Sequence, residues 1–144
     1  MTTNHAGRLM IIQRPTVPGD WTTPINLCGI NNTTFTITNA INSEERVNCG
    51  DRAAVVELLK EYGAQDMKFD ASGLFDSDAE GQYAADQARG QGKPELRVFV
   101  PGHGYYECAE WLIGTVTLTG GPTNSLQFSC NFETSGTVTF TALP

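Results

Sequence analysis

The sequence predicts a mainly β, α+β domain, and three observations carry that expectation. Residues from Val98 to Pro144 include no lysine or arginine, yet they form the densest run of strand-type residues in the chain. Apolar and polar residues alternate at Phe35 and Ile37 against Thr34, Thr36 and Thr38, and again at Met67, Phe69 and Ala71 against Asp66, Lys68 and Asp70. Only two segments carry helix signals. Exposed sheets usually defend their edges with charge, lysine above all, so a cation-free sheet is expected to be covered, and in a one-domain chain the natural cover is another copy of itself.

The elements follow in order. Met1 to Gly7 reads as a floppy arm, and Arg8 to Gln13 as a first short strand closed by Arg14-Pro15. After the Pro/Gly-punctuated loop of Thr16 to Pro24, Ile25 to Ile30 and Thr33 to Thr38 are strand-like. Asn39 to Gly50 is polar and lacks a core face, which predicts a long loop, and loops of that length are uncommon unless they do something. Asp51 can cap a helix to about Tyr62, with Val55, Val56, Leu58, Leu59 and Tyr62 on one stripe and Gly63 as the stop. Asp66 to Phe75 is again a strand. Ser77 to Glu80 fits a capping box for a second helix running to Arg89 and ended by Gly90-Gln91-Gly92, and Glu95 to Val100 returns to strand.

Parity registers the last third, because a one-residue slip moves every side chain to the other face. A Thr134-Ser135-Gly136 hairpin places glycine in the left-handed position, Phe132 opposite Val138 and Cys130 opposite Phe140. Leu118 is then expected opposite Leu126 and Val116 opposite Phe128. One face collects Leu112, Val116, Leu118, Leu126, Phe128, Cys130, Phe132, Val138 and Phe140. The other collects Thr, Ser, Asn and Gln, with Glu133 its single charge. Such a face suits a subunit contact or a channel wall, and it equally suits an ordinary solvated sheet face.

Composition narrows the function. At 144 residues the chain fits one domain, 1–144, enough to bury roughly 70% of its unfolded surface. Its formal charge of −7, from 16 acidic and 9 basic residues, argues against a phosphate-gripping surface. The N-terminus lacks a secretory signal, and no run reaches membrane-spanning length. Cys28, Cys49, Cys108 and Cys130 stand singly, so zinc has little support and reduced, buried thiols are expected, although a disulfide pair stays open.

The motifs that resemble catalysis weaken on inspection. His103, between Gly102 and Gly104 and near Cys108, could pair as base with a thiol nucleophile, but Pro101 to Gly104 reads better as a turn. His5 and His103 are the only histidines, too few for a His-rich metal site. Asp76 to Glu80 lacks the glycine and distal glutamate of an EF-hand loop, and Gly90 to Lys93 is too short for a phosphate-binding loop. No catalytic, metal or cofactor site is expected.

Several segments in order resemble the major tail tube proteins of long-tailed bacteriophages and gene transfer agents, the lactococcal-phage type. They are Gly7 to Ile11, Leu27 to Ile37, the loop through Glu44-Glu45-Arg46-Val47, Glu57-Leu58-Leu59, Met67 to Phe75 with its Ser72-Gly73-Leu74-Phe75 ending, Val100 to Glu107, and Phe132 to Ala142. Ala53 to Val56 depart from the family by lacking its usual tryptophan there. The resemblance implies a β-sandwich or half-barrel with one or two flanking helices and a long polar loop. It also implies hexameric rings stacked into a tube that conducts double-stranded DNA without binding it. Tape-measure, tail-terminator and distal tail proteins would be its partners, with assembly in the bacterial host cytoplasm and residence in the virion tail. No cofactor, no membrane and no catalysis are implied.

On that basis Arg8, Asn39, Ile41, Asn42, Ser43, Glu44, Glu45, Arg46 and Val47 are expected at ring-to-ring contacts. A DNA channel should lack fixed cations, so some of Glu44, Glu45, Asp66, Asp70 and Glu133 are expected to face the lumen. The competing readings are a stand-alone virion-surface or adhesin-like module using Trp21, Tyr105, Tyr106 or Trp111, a relative in a contractile or secretion apparatus, and a small hydrolase using Cys108 or Cys49.

Overall fold

The computed structural model describes residues 10–27, 30–46, 50, 57–75, 79–121 and 126–143. They form β1 (Ile11–Arg14), β2 (Ile25–Asn26), β3 (Ile30–Arg46), β4 (Glu57–Leu74), α1 (Ala79–Arg89), β5 (Leu96–Val100), β6 (Gly104–Thr119) and β7 (Gln127–Ala142). The strands make one seven-stranded sheet in the order β2-β1-β5-β6-β7-β4-β3, with every pair antiparallel. The fold is thus mainly β with one helix among the described residues.

The sheet curls around its apolar face. Phe35 on β3 meets Tyr106 on β6 with ring centroids 4.9 Å apart, although β7 and β4 lie between those strands. In a flat sheet, three strand spacings would separate the two by roughly 14 Å. The enclosed core holds Ile12, Phe69, Leu96, Val98, Trp111 and Phe132 with no solvent exposure. Phe69 and Phe132 are cross-strand partners with tilted rings. Trp111 satisfies its indole by donating to the Leu96 carbonyl at 2.8 Å, which a buried polar N–H requires.

Helix α1 closes the core beside β6, contributing Ala84, and Tyr83 lies under the Arg14 guanidinium. Its end is a Schellman motif: Gly92 N–H donates to the Gln87 carbonyl and Gln91 N–H to that of Ala88. The left-handed residue is Gln91, at φ 54°, rather than either neighbouring glycine. The Ser77 part of the expected capping box lies outside the described residues.

Three expectations are corrected. Asn39–Arg46 is no loop: it completes the 17-residue strand β3. Residues 57–62 are not helical but begin β4, paired from Glu57 opposite Arg46; positions 51–56 lie outside the described residues. The stripe of Leu58, Leu59 and Tyr62 had suggested a helix, but a helix needs a surface on which to bury such a stripe. Here all three are exposed, and strand pairing with β3 satisfies the backbone instead.

The third correction concerns β7, which runs straight through the expected hairpin. Gly136 does adopt a left-handed φ of 93°, but inside a bulge where the β6–β7 register shifts between Cys108 and Glu110. Val138 therefore faces Cys108 and Phe140 faces Tyr106, while Phe132 pairs with Ile113 and Cys130 with Val116. Leu118 lies opposite Phe128 rather than Leu126. That slip of two residues preserves the face of every side chain, as period-two geometry demands. A second shift, between Ile113 and Val116, does change faces and moves Leu112 off the core side opposite Glu133.

Core truncation should separate the two sides of this register. Phe132→Ala should lower unfolding free energy by about 3–5 kcal/mol, whereas Leu118→Ala, at 47% exposure, should cost under about 1 kcal/mol in the monomer; denaturant titration reads both. Burial first, and the Asp70 charge second, push the Cys130 thiol up from 9.0 to about 12. The native state then keeps its proton while the unfolded thiol loses its own. Stability linked to this group is intact below 9.0 and drains as pH climbs toward about 12. Cys130→Val should shrink the alkaline loss of stability relative to wild type, measured by unfolding titrations below and above pH 9.0.

Candidate assembly and channel surfaces

Strand lengths create the first surface. β4 pairs with β7 only from Lys68 to Leu74, yet β4 pairs with β3 all the way to Glu57. The segments Asn39–Arg46 and Glu57–Gln65 therefore form a two-stranded ribbon projecting past the sheet, exposed throughout. A two-stranded ribbon is marginally stable by itself in water. One of its faces continues the core face of the sheet: after Phe35 opposite Phe69 and Ile37 opposite Met67 come Ile41 opposite Tyr62 and Glu45 opposite Leu58. Ile41 is 63% and Tyr62 81% exposed. Long apolar side chains displayed in this way mark a contact surface.

The outer edge of β3 is also open, since β3 ends the sheet. Among the described residues no strand pairs with the outer side of the 17-residue β3, and a strand edge of that kind is a template for pairing with another strand. Among the expected contact residues, Asn39, Ile41, Asn42, Ser43, Glu44, Glu45 and Arg46 all lie on this strand within the ribbon. Arg8 and Val47 lie outside the described residues.

The second surface is the side of the sheet opposite the core. Register places Thr34, Thr36 and Thr38 of β3 beside Asp70, Lys68 and Asp66 of β4, and these beside Asn131 and Glu133 of β7, then Thr117 and Thr119 of β6 beside Ser129 and Gln127. The face is continuous, hydroxyl- and amide-rich, and bears Asp66, Asp70 and Glu133 with Lys68 between them. Lys68 Nζ lies 3.2 Å from Glu133 Oε1. Hydrogen bonding to Glu133, then the charges of Glu133, Asp66 and Asp70, raise the lysine pKa above its ordinary value.

Asp66, Asp70 and Glu133 thus come together on one face. Strand parity carries Glu44 onto the same side farther along the ribbon, opposite Leu59, whereas Glu45 sits on the reverse side opposite Leu58. A shallow concavity of about 460 Å³ opens on this face along Asn32, Thr34, Asp70, Thr115, Ser129 and Asn131. Asn131 shapes it: its Oδ1 accepts from Thr115 N–H at 2.7 Å. That bond holds the bulge at Gly114, where a Cβ would stand 2.9 Å from the same oxygen.

The remaining outer face, over β1, β5 and β6, is covered. Arg97 is buried there between the rings of Trp21 and Tyr105, at 4.6 and 4.1 Å from their centroids. Its Nε donates to Gln13 at 2.9 Å and its Nη1 lies 3.7 Å from Glu107. This stack binds the Thr16–Pro24 loop to the sheet, helped by Gly19 N–H donating to Glu95. Trp111 is wholly buried. The aromatic loop patch expected of a stand-alone binding module is therefore corrected: Trp21 and Tyr105 grip Arg97, Tyr106 packs on Phe35, and Trp111 is core.

The catalytic arrangement does not form either. His103 Nε2 is 2.6 Å from the Tyr106 hydroxyl, while the Cys108 thiol donates to the carbonyls of Glu110 and Ser135. Cys28 and Cys49 lie outside the described residues. Among the described residues, no group of three or more His, Cys, Asp or Glu could hold a metal ion, and no helix is long and apolar enough to cross a membrane.

No family model matches the chain, and no curated protein matches it significantly. Solved structures do. A chain from the tail of an empty gene transfer agent (GTA) particle, refined helically with C6 symmetry, superposes with a TM-score of 0.77 at 16% identity, covering 96% of this chain and all of that one. A chain from an extracellular contractile injection system, in its sheath-tube complex, gives 0.59 at 9% identity, covering 93% and 88%. A chain from the tube-terminating cap of the anti-feeding prophage gives 0.62 at 8% identity, covering 99% and 94%. The chain therefore has the fold found in these tail and injection-system structures.

Asn131→Ala should free the Gly114–Thr115 bulge at a cost of about 1 kcal/mol. Hydrogen exchange at the Thr115 amide should accelerate while core amides on β4 and β7 stay protected.

Proposed function

We propose that this chain is the repeating structural subunit of a virion tail tube. It assembles as hexameric rings stacked into a channel that conducts double-stranded DNA from capsid to host cell. The observation that carries this reading is a curled sheet whose open outer face is polar and acidic on balance, with its Lys68 already paired to Glu133. DNA sliding along such a wall meets hydroxyls, amides and carboxylates, none of which traps phosphates. The tail-particle fold and the C6 symmetry of one structural relative support the geometry.

The ribbon and the open β3 edge supply the contacts. The Ile37, Ile41, Leu58 and Tyr62 face meets a neighbouring copy, and the β3 edge is paired or covered in the ring, which disposes of both exposures at once. Asn39 to Arg46, with Arg8 and Val47, belong to contacts between rings. Tape-measure, tail-terminator and distal tail proteins bound the tube, assembly takes place in the host cytoplasm, and no membrane, cofactor or catalytic step is involved.

Negative-stain microscopy of concentrated full-length protein should show rings or tubes. Ile41→Ser combined with Tyr62→Ser should change monomer stability by no more than about 1 kcal/mol, because both are surface positions. The same pair should abolish or greatly shorten the assemblies. A wild-type chain that stays strictly monomeric at high concentration overturns the proposal.

A further inference from the structure

Lys68 is an anomaly on a surface whose proposed role is to let DNA pass. It projects from β4 on the polar face, 46% exposed along its side chain, and a ring of such lysines around a channel would be a phosphate-binding collar. Its surroundings remove that capacity. Asp66 and Asp70 are the same-face neighbours two residues away on β4, Thr36 is opposite on β3, and Glu133 is opposite on β7 with Oε1 3.2 Å from Nζ.

We propose that Glu133 is a masking residue: it holds the Lys68 ammonium against the sheet so that this cation, set among the polar side chains of β3, β4 and β7, is unavailable to DNA phosphates. The inference rests on the tube reading and adds to it a specific pair that determines passage. Cross-strand placement suits the task, since directly opposed residues have Cβ atoms within about 5.5 Å. The ammonium can then reach its partner without leaving the wall. The raised lysine pKa, caused first by the hydrogen bond to Glu133, agrees with a cation held by that carboxylate. Asp66 and Asp70 add attraction of the same sign along the strand. Neither replaces the direct contact, which among the described residues Glu133 makes.

The test uses tubes of the full-length chain, verified by microscopy and incubated with a short fluorescent DNA duplex. Retention after pelleting is measured across a salt series, with and without nuclease. Wild-type tubes should retain little. Thr117→Lys places an unpartnered cation on the same face and should retain nuclease-protected duplex. Glu133→Gln, nearly isosteric, should raise protected retention about tenfold at low salt, decaying about tenfold per tenfold rise in salt for each phosphate contacted. Adding Lys68→Gln to that variant should return retention to the wild-type level, a rescue that a purely structural role for Glu133 would not produce.

If Thr117→Lys retains duplex and Glu133→Gln behaves as wild type, the mask is wrong and the channel reading stands. If Glu133→Gln retains duplex that nuclease destroys, with rescue by Lys68→Gln, the mask stands and the face is not the lumen. Retention by neither variant overturns both.

Discussion

Closure of one sheet upon its own apolar face is the constraint on which the rest depends. The one helix among the described residues cannot cover seven strands. The sheet therefore curls until Phe35 reaches Tyr106, and Trp111, Phe69 and Phe132 fill the enclosed space. Curling has an automatic second product, because strand side chains alternate: what points away from the core must form a continuous outer wall. The Thr34-to-Thr119 face is that outer wall, and its polar chemistry is not constrained by packing of the core.

Irregularities adjust this scheme locally. The bulge at Gly136 and the one at Gly114, held by Asn131, twist β6 and β7 and reset which residues look inward. The extra residue on β4 between Tyr62 and Gln65 marks where the sheet gives way to the ribbon. Past that point no third strand among the described residues supports the pair, and its apolar side chains Ile41, Leu58 and Tyr62 stay exposed.

Much of the candidate site was legible in sequence, though unevenly. The Thr34–Thr38 and Asp66–Asp70 alternations mark the wall, because period-two polarity survives any even shift of register. The two-residue error at Leu118 was harmless for that reason. Leu112 was misplaced because a bulge carries no periodic signal. Asn39–Arg46 and Glu57–Tyr62 were misread most, as loop and helix, because their apolar residues have no core to answer to. A Leu-Leu-Lys-Glu-Tyr run satisfies a helical stripe as well as an exposed strand, and only pairing with β3 selects between them. The Lys68–Glu133 pair spans β4 and β7 and has no local signature.

Local sequence was enough for the class of fold, the Thr34–Thr38 and Asp66–Asp70 alternations, the absence of cations after Arg97 and the resemblance to tail proteins, since composition and alternation are local properties. Tertiary structure alone decided that β7 is one strand, that residues 39–46 and 57–65 form a projecting ribbon, and that Trp111 is core while Trp21 clasps Arg97. Each of these turns on which distant strand becomes a neighbour. That choice depends on which apolar faces can be buried against one another, and no window of sequence contains it.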